Sequence, residues 1–252
     1  QNIPIRGELG RRLRDGFVAS PGNVLIAADY SQIELRLLAH LTGDEALREV
    51  YRNGQDIHAR TAAQVAGVDP SQVTSDMRRQ AKVINFGVVY GMGAHALSQQ
   101  LGVPFAEAKR FIDGYFAAYP AVKPWMESVV EEGREKGYVS TILGRKRWIK
   151  ELGDKNRAVR ERAEREAANT PVQGSAADLV KKAMLLVDRE IREAGLPARM
   201  LLQVHDELVF EASVDRAPEA AARIRAVMES ALTLSVPLVA EAGIAPSWGK
   251  AH

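Results

Sequence analysis

At 252 residues, 46% of them apolar and 26% charged, the chain can bury a real core as one large domain or two modest ones. It has no cysteine, which excludes disulfides, thiolate metal sites and cysteine nucleophiles. No apolar run approaches the ~18 residues of a membrane span and no secretory leader opens the chain, so a cytoplasmic protein without a membrane partner is expected. The net charge of +2 does not announce a nucleic-acid binder, nor exclude one, because an acidic metal site and a basic groove cancel in the sum.

The opening Q-N-I-P-I-R-G-E-L-G reads as an extended entry punctuated by Pro4 and two glycines. It starts without Met and holds no self-contained element, as expected of a piece of a longer protein. Arg11, Arg12, Arg14 and Phe17 lead to the turn Ser20-Pro21-Gly22-Asn23. Residues 24–28 are then an unbroken apolar run, the pattern of a strand buried on both faces. Asp29 ends that run. Ser31 is placed to cap the next helix, whose Ile33, Leu35, Leu37, Leu38 and Leu41 recur at mostly helical spacings. An acid at a strand-to-helix junction is held by rigid elements yet reaches solvent, which suits a metal ligand. Taken alone, such an acid more often simply helps to cap the helix.

Helical pattern continues to about Gln64, interrupted near Gly43-Asp44 and Asn53-Gly54. Asp56 and His58 follow the second break, where a lone His is by default a surface residue. Asp69-Pro70-Ser71 makes a turn and opens a short helix. Ser75 is a fair N-cap for the next helix, with Asp76 in its first turn. There Arg78, Lys82, Phe86 and Tyr90 sit four apart and form one gently drifting stripe. Two cations followed by two rings suit a polyphosphate and a base or sugar. They equally suit a helix with a solvated basic start and aromatic anchors in the core. Gly87, Gly91 and Gly93 favour the first reading, because glycine lets a ligand or backbone approach.

Residues 104–133 read as two helices broken at Tyr119-Pro120. Residues 138–143 are strand-like, turned by Gly144. The basic run 145–165 reads as a solvated helix face or a phosphate-binding one. A long amphipathic helix follows from Glu166 to Ala194. Asn169 and Gln173 near its start are minor-groove readers or plain caps. Residues 200–211 form a hairpin joined at His205-Asp206, which displays Asp206 and Glu207 at a tight turn. A final helix over 218–232 and a strand over 236–242 precede Trp248.

Asp29 at a strand end and Asp206 at a hairpin tip can meet only if their strands are neighbours in one sheet. A paired carboxylate site without His or Cys suits magnesium or manganese. Two such ions serve phosphoryl displacement, and the Arg78/Lys82 stripe offers countercharge for a triphosphate. Spacing alone does not separate nucleotidyl transfer from a metal-dependent nuclease.

D-Y-S-Q-I-E-L-R at 29–36, R-R-Q-A-K-V-I-N-F-G-V-V-Y-G at 78–91 and V-H-D-E-L-V at 204–209 resemble the three motifs that mark the DNA polymerase I family (family A). Q-N-I-P-I-R at the start, D-I-H at 56–58, G-R-K-R at 144–147 and N-T-P-V-Q-G at 169–174 resemble it too, in the same order. The resemblance implies an α+β fold: an antiparallel-sheet palm over 1–50 and 161–252, with a mainly helical fingers subdomain inserted over 51–160. It implies template-directed DNA synthesis from dNTPs on a primer–template by a monomer in the bacterial cytoplasm, with two Mg2+ ions for which Mn2+ can substitute. Asp29, Asp206 and the Tyr30 carbonyl would hold the metals, with Glu207 in support. Arg78, Lys82 and His58 would grip the triphosphate, Lys82 as part of the catalytic set. Phe86 would pack on sugar and base, and a Phe there is expected to disfavour dideoxynucleotides. Gln32 and Glu34 would line the substrate site, Glu34 crowding the 2′ position and so arguing against a single-subunit RNA polymerase. Tyr90 would stack at the insertion site. Arg165, Asn169, Gln173 and His205 would contact the primer terminus or minor groove, and Arg6 the primer backbone. The helix carrying Arg78 would rotate inward to close the site. Family members carry a thumb and a primer–template strip before the Q-N-I-P segment. The alternative is therefore an isolated palm-and-fingers piece that binds dNTP or primer–template without catalysis.

Overall fold

The computed structural model describes residues 3 and 7–251. Arg6 and most of the expected extended entry lie outside the described residues, but its last residues, Glu8–Gly10, are helical rather than extended. They open the first helix, with Glu8 in its first turn and Arg12 and Arg14 in its last, charges that favour a helix. In chain order the elements are α1 (Glu8–Asp15), β1 (Asn23–Tyr30), α2 (Ile33–Thr42), α3 (Glu45–Arg52), α4 (Ile57–Ala66), α5 (Ser75–Val89), α6 (Ala94–Leu101), α7 (Phe105–Ala118) and α8 (Val122–Lys136). They continue with β2 (Tyr138–Ser140), β3 (Lys146–Trp148), α9 (Arg157–Glu193), β4 (Arg199–Val204), β5 (Glu207–Ser213), α10 (Ala217–Glu229) and β6 (Ala240–Ala245). The fold is α+β with antiparallel pairing throughout these strands. No helix among the described residues is long and apolar enough to cross a membrane.

The chain divides into two compact units. The first comprises Gln1–Ile33, Ala177–Thr233 and Leu238–His252, and the second Glu34–Ala176 with Leu234–Pro237. In the first unit the sheet has the order β4-β5-β1-β6. Strand β1 is internal, which explains why residues 24–28 lack polar alternation: Leu25, Ile26, Ala27 and Ala28 are all buried. On one face Leu25 packs with Val204, Val209 and Trp248, and Ala27 with Ala245 and Ala251. On the other face the Tyr30 hydroxyl donates to the Met228 carbonyl of α10 at 2.7 Å. Gly243 pairs with Ala27, and a Cβ there would stand 1.9 Å from the Ala251 carbonyl oxygen. Only glycine lets the C-terminal turn lie this close to β6.

The hairpin falls where the pattern puts it, with His205 and Asp206 between β4 and β5. His205 has a φ of 56°, positive at the first of two central residues, as in a type II′ connection. The last strand is displaced from 236–242 to Ala240–Ala245. Pro237 has no N–H for a ladder, and its carbonyl instead accepts from Arg36 Nη1 at 2.7 Å.

In the second unit, Thr74 rather than Ser75 caps α5, its Oγ1 accepting from the Met77 N–H at 3.2 Å. The basic run 145–165 divides between β3, a 3-10 turn at Lys150–Gly153 and the first turns of α9. Helix α9 therefore starts nine residues before Glu166 and carries Pro171 inside it, so the Ala167 carbonyl loses its usual partner. Asp44 is buried, and its carboxylate accepts from Leu47 N–H at 3.0 Å and from Ala121 N–H at 2.9 Å. It thus closes the first turn of α3 and fixes the start of α8. Asp44→Ala leaves both donors unmet and is expected to cost about 2–4 kcal/mol in urea unfolding. Asp44→Asn, which retains one acceptor oxygen, is expected to lose about half as much.

Candidate active site

The acids of the first unit are brought together by strand register. Asp29 on β1 pairs with Glu207 on β5 and, on its other side, with Glu241 on β6. Directly opposed residues of an antiparallel pair share a face, with Cα atoms about 4.5–5.5 Å apart. Glu207, Asp29 and Glu241 therefore form a row across three strands, and Asp206 adjoins it at the hairpin turn. The neighbour relation on which the Asp29/Asp206 pairing depended is present.

These carboxylates are not equivalent. Glu207 is buried, and its Oε1 accepts from Trp248 Nε1 at 2.7 Å. The indole is itself held, with the Arg14 guanidinium 4.1 Å over its ring and Phe17 edge-on at 5.6 Å. Asp29 and Asp206 are half-buried. Tyr30 points to the opposite face, so its part in any metal site is limited to the backbone carbonyl. Among the described residues no three His, Asp or Glu side chains converge on one point. The carboxylate oxygens of Asp29 and Asp206 are hard donors, the kind a cation such as Mg2+ takes through one or two ligands before completing its octahedron with water and phosphate.

The other candidates lie in the second unit. The outer face of α5 carries Arg78 and Lys82 exposed, Phe86 half-buried and Tyr90 exposed, while Ala81, Ile84, Asn85 and Val88 face inward. The reading of Phe86 and Tyr90 as core anchors is thereby set aside. Arg78 Nε donates to Asp56 Oδ2 at 2.6 Å. Asp56 also caps α4 through the His58 and Ala59 N–H groups. Burial pushes the Asp56 carboxyl up, but Arg78 and the two amides outweigh it and hold the group below its ordinary range. The Tyr90 hydroxyl donates to Glu34 Oε2 at 2.6 Å, tying two candidate substrate residues together.

His58 is not the surface residue its position suggested; it is 3% exposed. Burial, helped by the Arg78 and Lys82 charges and opposed by Asp56, lowers its pKa to about 4. The ring is neutral near pH 7. A folded-state pKa below the ordinary 6.5 makes stability fall as pH drops from 6.5 towards 4.

Gly87 and Gly91 are filled against by side chains rather than left for a ligand. A Cβ on Gly87 would meet Met92 Sδ at 3.2 Å, and one on Gly91, at φ +69°, would meet Arg165 Cγ at 3.1 Å. A cavity of about 1160 Å³ opens beside them, lined by Tyr90, Met92, His95, Met126, Arg134 and Arg165. Arg165, Asn169 and Gln173 lie four apart along α9. Asn169 and Gln173 sit well inside the helix, so they are not caps. Asn169 Nδ2 donates to Gln173 Oε1 at 3.3 Å, and Asn169 Oδ1 is buried with no partner among the described residues. His205 is exposed and Gln32 has a φ of 55° at the strand–helix junction, both in the first unit. Spacing did not single out Glu241, Trp248, or the buried polar residues Thr61, Asn85 and Tyr119. Asn85 left one signal, a lone amide inside the apolar run V-I-N-F-G-V-V.

The chain matches the family model for DNA polymerase family A over residues 1–250, and it belongs to that family. It is 54% identical over 248 residues to the thermostable DNA polymerase I of Thermus filiformis, covering 98% of this chain and 30% of that protein. It is 52% identical to the DNA polymerase I of Deinococcus radiodurans over 98% of this chain and 26% of that protein. Against that of Pseudomonas aeruginosa it is 50% identical over 252 residues, which is 100% of this chain and 28% of that protein. Among solved structures it resembles the POL domain of Pol1 from M. smegmatis in complex with DNA primer-template and dNTP. The TM-score is 0.94 at 46% identity, covering 99% of this chain and 44% of that one. The chain thus spans less than a third of the length of the curated relatives it matches.

Trp248→Phe keeps most of the packing and removes the one N–H that the indole gives to Glu207. It is expected to lower unfolding stability by about 1.5–3 kcal/mol, the usual worth of a hydrogen bond to a charged group, read from urea denaturation. His58→Gln is expected to flatten the decline of stability between pH 6.5 and 4, read from the same titration repeated across pH.

Proposed function

We propose that this chain carries the palm and fingers of a DNA-directed DNA polymerase, which extends a primer 3′-hydroxyl with dNTPs and releases pyrophosphate. The first unit is the palm and the helical second unit contains the fingers. The observation that carries the reading is the register that sets Asp29 opposite Glu207, with Asp206 at the adjoining turn. Asp29 and Asp206, with the Tyr30 carbonyl, would hold two Mg2+ ions. When bound, these ions supply Lewis-acid activation of the attacking oxygen and charge stabilisation of the leaving pyrophosphate. Glu207, anchored by Trp248, fixes the hairpin that presents Asp206.

Arg78, Lys82 and His58 bind the triphosphate. Arg78 exchanges its Asp56 partner for phosphate oxygens, and Lys82 adds charge where it develops in the transition state. Phe86 packs on the sugar and base, and Tyr90 stacks at the insertion site. Glu34, oriented by the Tyr90 hydroxyl, crowds the 2′ position, and Gln32 is a further substrate-binding residue. Arg165, Asn169, Gln173 and His205 contact the primer terminus and minor groove, and Arg6 the primer backbone. The natural setting is the bacterial cytoplasm and its nucleoid DNA.

A second reading is favoured by the chain's share of its relatives: alone, it binds dNTP or primer–template and catalyses nothing measurable. Titrating the 252-residue chain with labelled primer–template and then assaying extension separates the two. For the chemistry, the chain is set in place of the matching segment of the Thermus filiformis polymerase. Asp29→Ala and Asp206→Ala are each expected to lower Mg2+-dependent extension by ~10²–10³-fold or more. Near-normal rates in either variant would sink the metal assignment.

A further inference from the structure

Behind the exposed face of α5, four polar groups form one buried line. Thr61 Oγ1 lies 2.9 Å from the Tyr119 hydroxyl and 3.0 Å from Asn85 Oδ1. Asn85 Nδ2 lies 2.9 Å from His58 Nδ1. Tyr119 and Thr61 are 0% exposed and Asn85 1%. These groups sit on α4, α5 and the end of α7, so the line is built by packing and not by local sequence.

Each link carries one proton, and Thr61 accepting from both sides would leave its own proton without an acceptor among the described residues, so the line runs in one of two senses. In the first sense Tyr119 donates to Thr61, Thr61 to Asn85 Oδ1, and the Asn85 amide to His58 Nδ1. In the second every bond reverses, the Asn85 amide is flipped, and the Tyr119 hydroxyl must give its proton to something else. Among the described residues Thr61 is the only hydrogen-bond partner of that hydroxyl. The adjacent Tyr115 hydroxyl, whose ring is 4.9 Å from that of Tyr119, is buried and has no hydrogen-bond partner among the described residues, so it does not accept that proton. The second sense therefore strands a buried hydroxyl proton that the first sense places, while the second Asn85 N–H is the same in both.

We infer that the Tyr119–Thr61–Asn85 line locks His58 in the neutral Nε2–H tautomer, with Asn85 and Thr61 as positioning residues, so that His58 offers one fixed N–H to a nucleotide phosphate. Nε2 makes no hydrogen bond among the described residues, so its donor is available to a ligand. The charged groups around the ring are Asp56, Arg78 and Lys82; the two cations, together with burial, disfavour imidazolium, and Asp56 only partly offsets them. His58 then adds direction and not charge, and its contribution stays constant through neutral pH, where an ordinary histidine would gain and lose a proton. The phosphate half of the inference rests on the function proposed above. The tautomer half stands on the chain's own bonds.

Long-range 1H–15N NMR of the labelled 252-residue chain reads the tautomer directly, with the His58 signals identified by their loss in His58→Gln. At pH 7 we expect Nε2 to carry the proton and Nδ1 to have the shift of a hydrogen-bonded acceptor. Thr61→Ser keeps the hydroxyl and is expected to keep that spectrum, whereas Thr61→Val breaks the line and is expected to mix the tautomers. Asn85→Asp replaces the donor with an acceptor and is expected to move the proton to Nδ1 and raise the ring pKa. An Nδ1–H or charged ring in the unsubstituted chain at pH 7 overturns the inference whatever the nucleotide does. In the chimeric polymerase, Asn85→Asp and His58→Ala are expected to raise the KM for dATP about 10-fold with a smaller change in kcat. His58→Gln, whose amide donates without titrating, is expected to recover most of that loss. An Nε2–H ring with KM unmoved in all three variants overturns the phosphate role alone. Loss of all extension by the unsubstituted chimera would instead strike the proposed function.

Discussion

The antiparallel pairing of β1 with β5 is the constraint on which the first unit depends. Strand β1 is apolar enough to sit inside the sheet, and that position gives Asp29 a neighbour on each side. A side-chain period of two makes the register decisive, because a slip of one residue would turn Asp29 to the face of Tyr30 and α10. Two features hold β1 in place: the packing of Leu25 and Ala27 beneath the C-terminal turn, and the close approach that Gly243 allows on β6. The tail belongs to the site for the same reason. Trp248 fills the space below β1 and gives its single N–H to Glu207, so packing and polar satisfaction coincide in one residue.

The second unit solves a different problem, that of presenting cations and rings on a helix whose back must be buried. Helix α5 places Arg78, Lys82, Phe86 and Tyr90 outward and Ala81, Ile84 and Val88 inward. Asn85 breaks the inward pattern. A buried amide is tolerated only when its groups are satisfied, and here Thr61 and His58 satisfy them from the neighbouring helix. Asp56 is used in a similar way, as helix cap and as partner for Arg78. Asn85 and Asp56 thus each satisfy a named donor or acceptor beside a candidate site residue.

Several elements were legible from local rules. The apolar run into Asp29, the hairpin at His205-Asp206, the breaks at Gly43-Asp44 and Asn53-Gly54 and the stripe on α5 follow from periodicity and turn chemistry. The failures were of two kinds. Boundaries moved where long-range bonding outweighed pattern: Pro237 surrendered its carbonyl to Arg36 and displaced β6, and α9 ran through Pro171 and back into the basic run. Burial was misjudged for His58, because a polar residue at a helix start gives no sign of what packs over it.

The order of the motifs and the type of most elements were determined by the sequence itself, since hydrophobic period, caps and turn residues act over a few positions; α1, in a segment that reads as extended, is the exception. The identity of the candidate residues was readable there too, through their resemblance to one family. Tertiary structure alone decided which of those residues meet. The row of Glu207, Asp29 and Glu241, the bond from Trp248, and the line from Tyr119 to His58 each join positions far apart in the chain. No local rule specifies such contacts, because they arise only when burial of apolar surface brings the strands and helices together and every buried polar group must then find a partner.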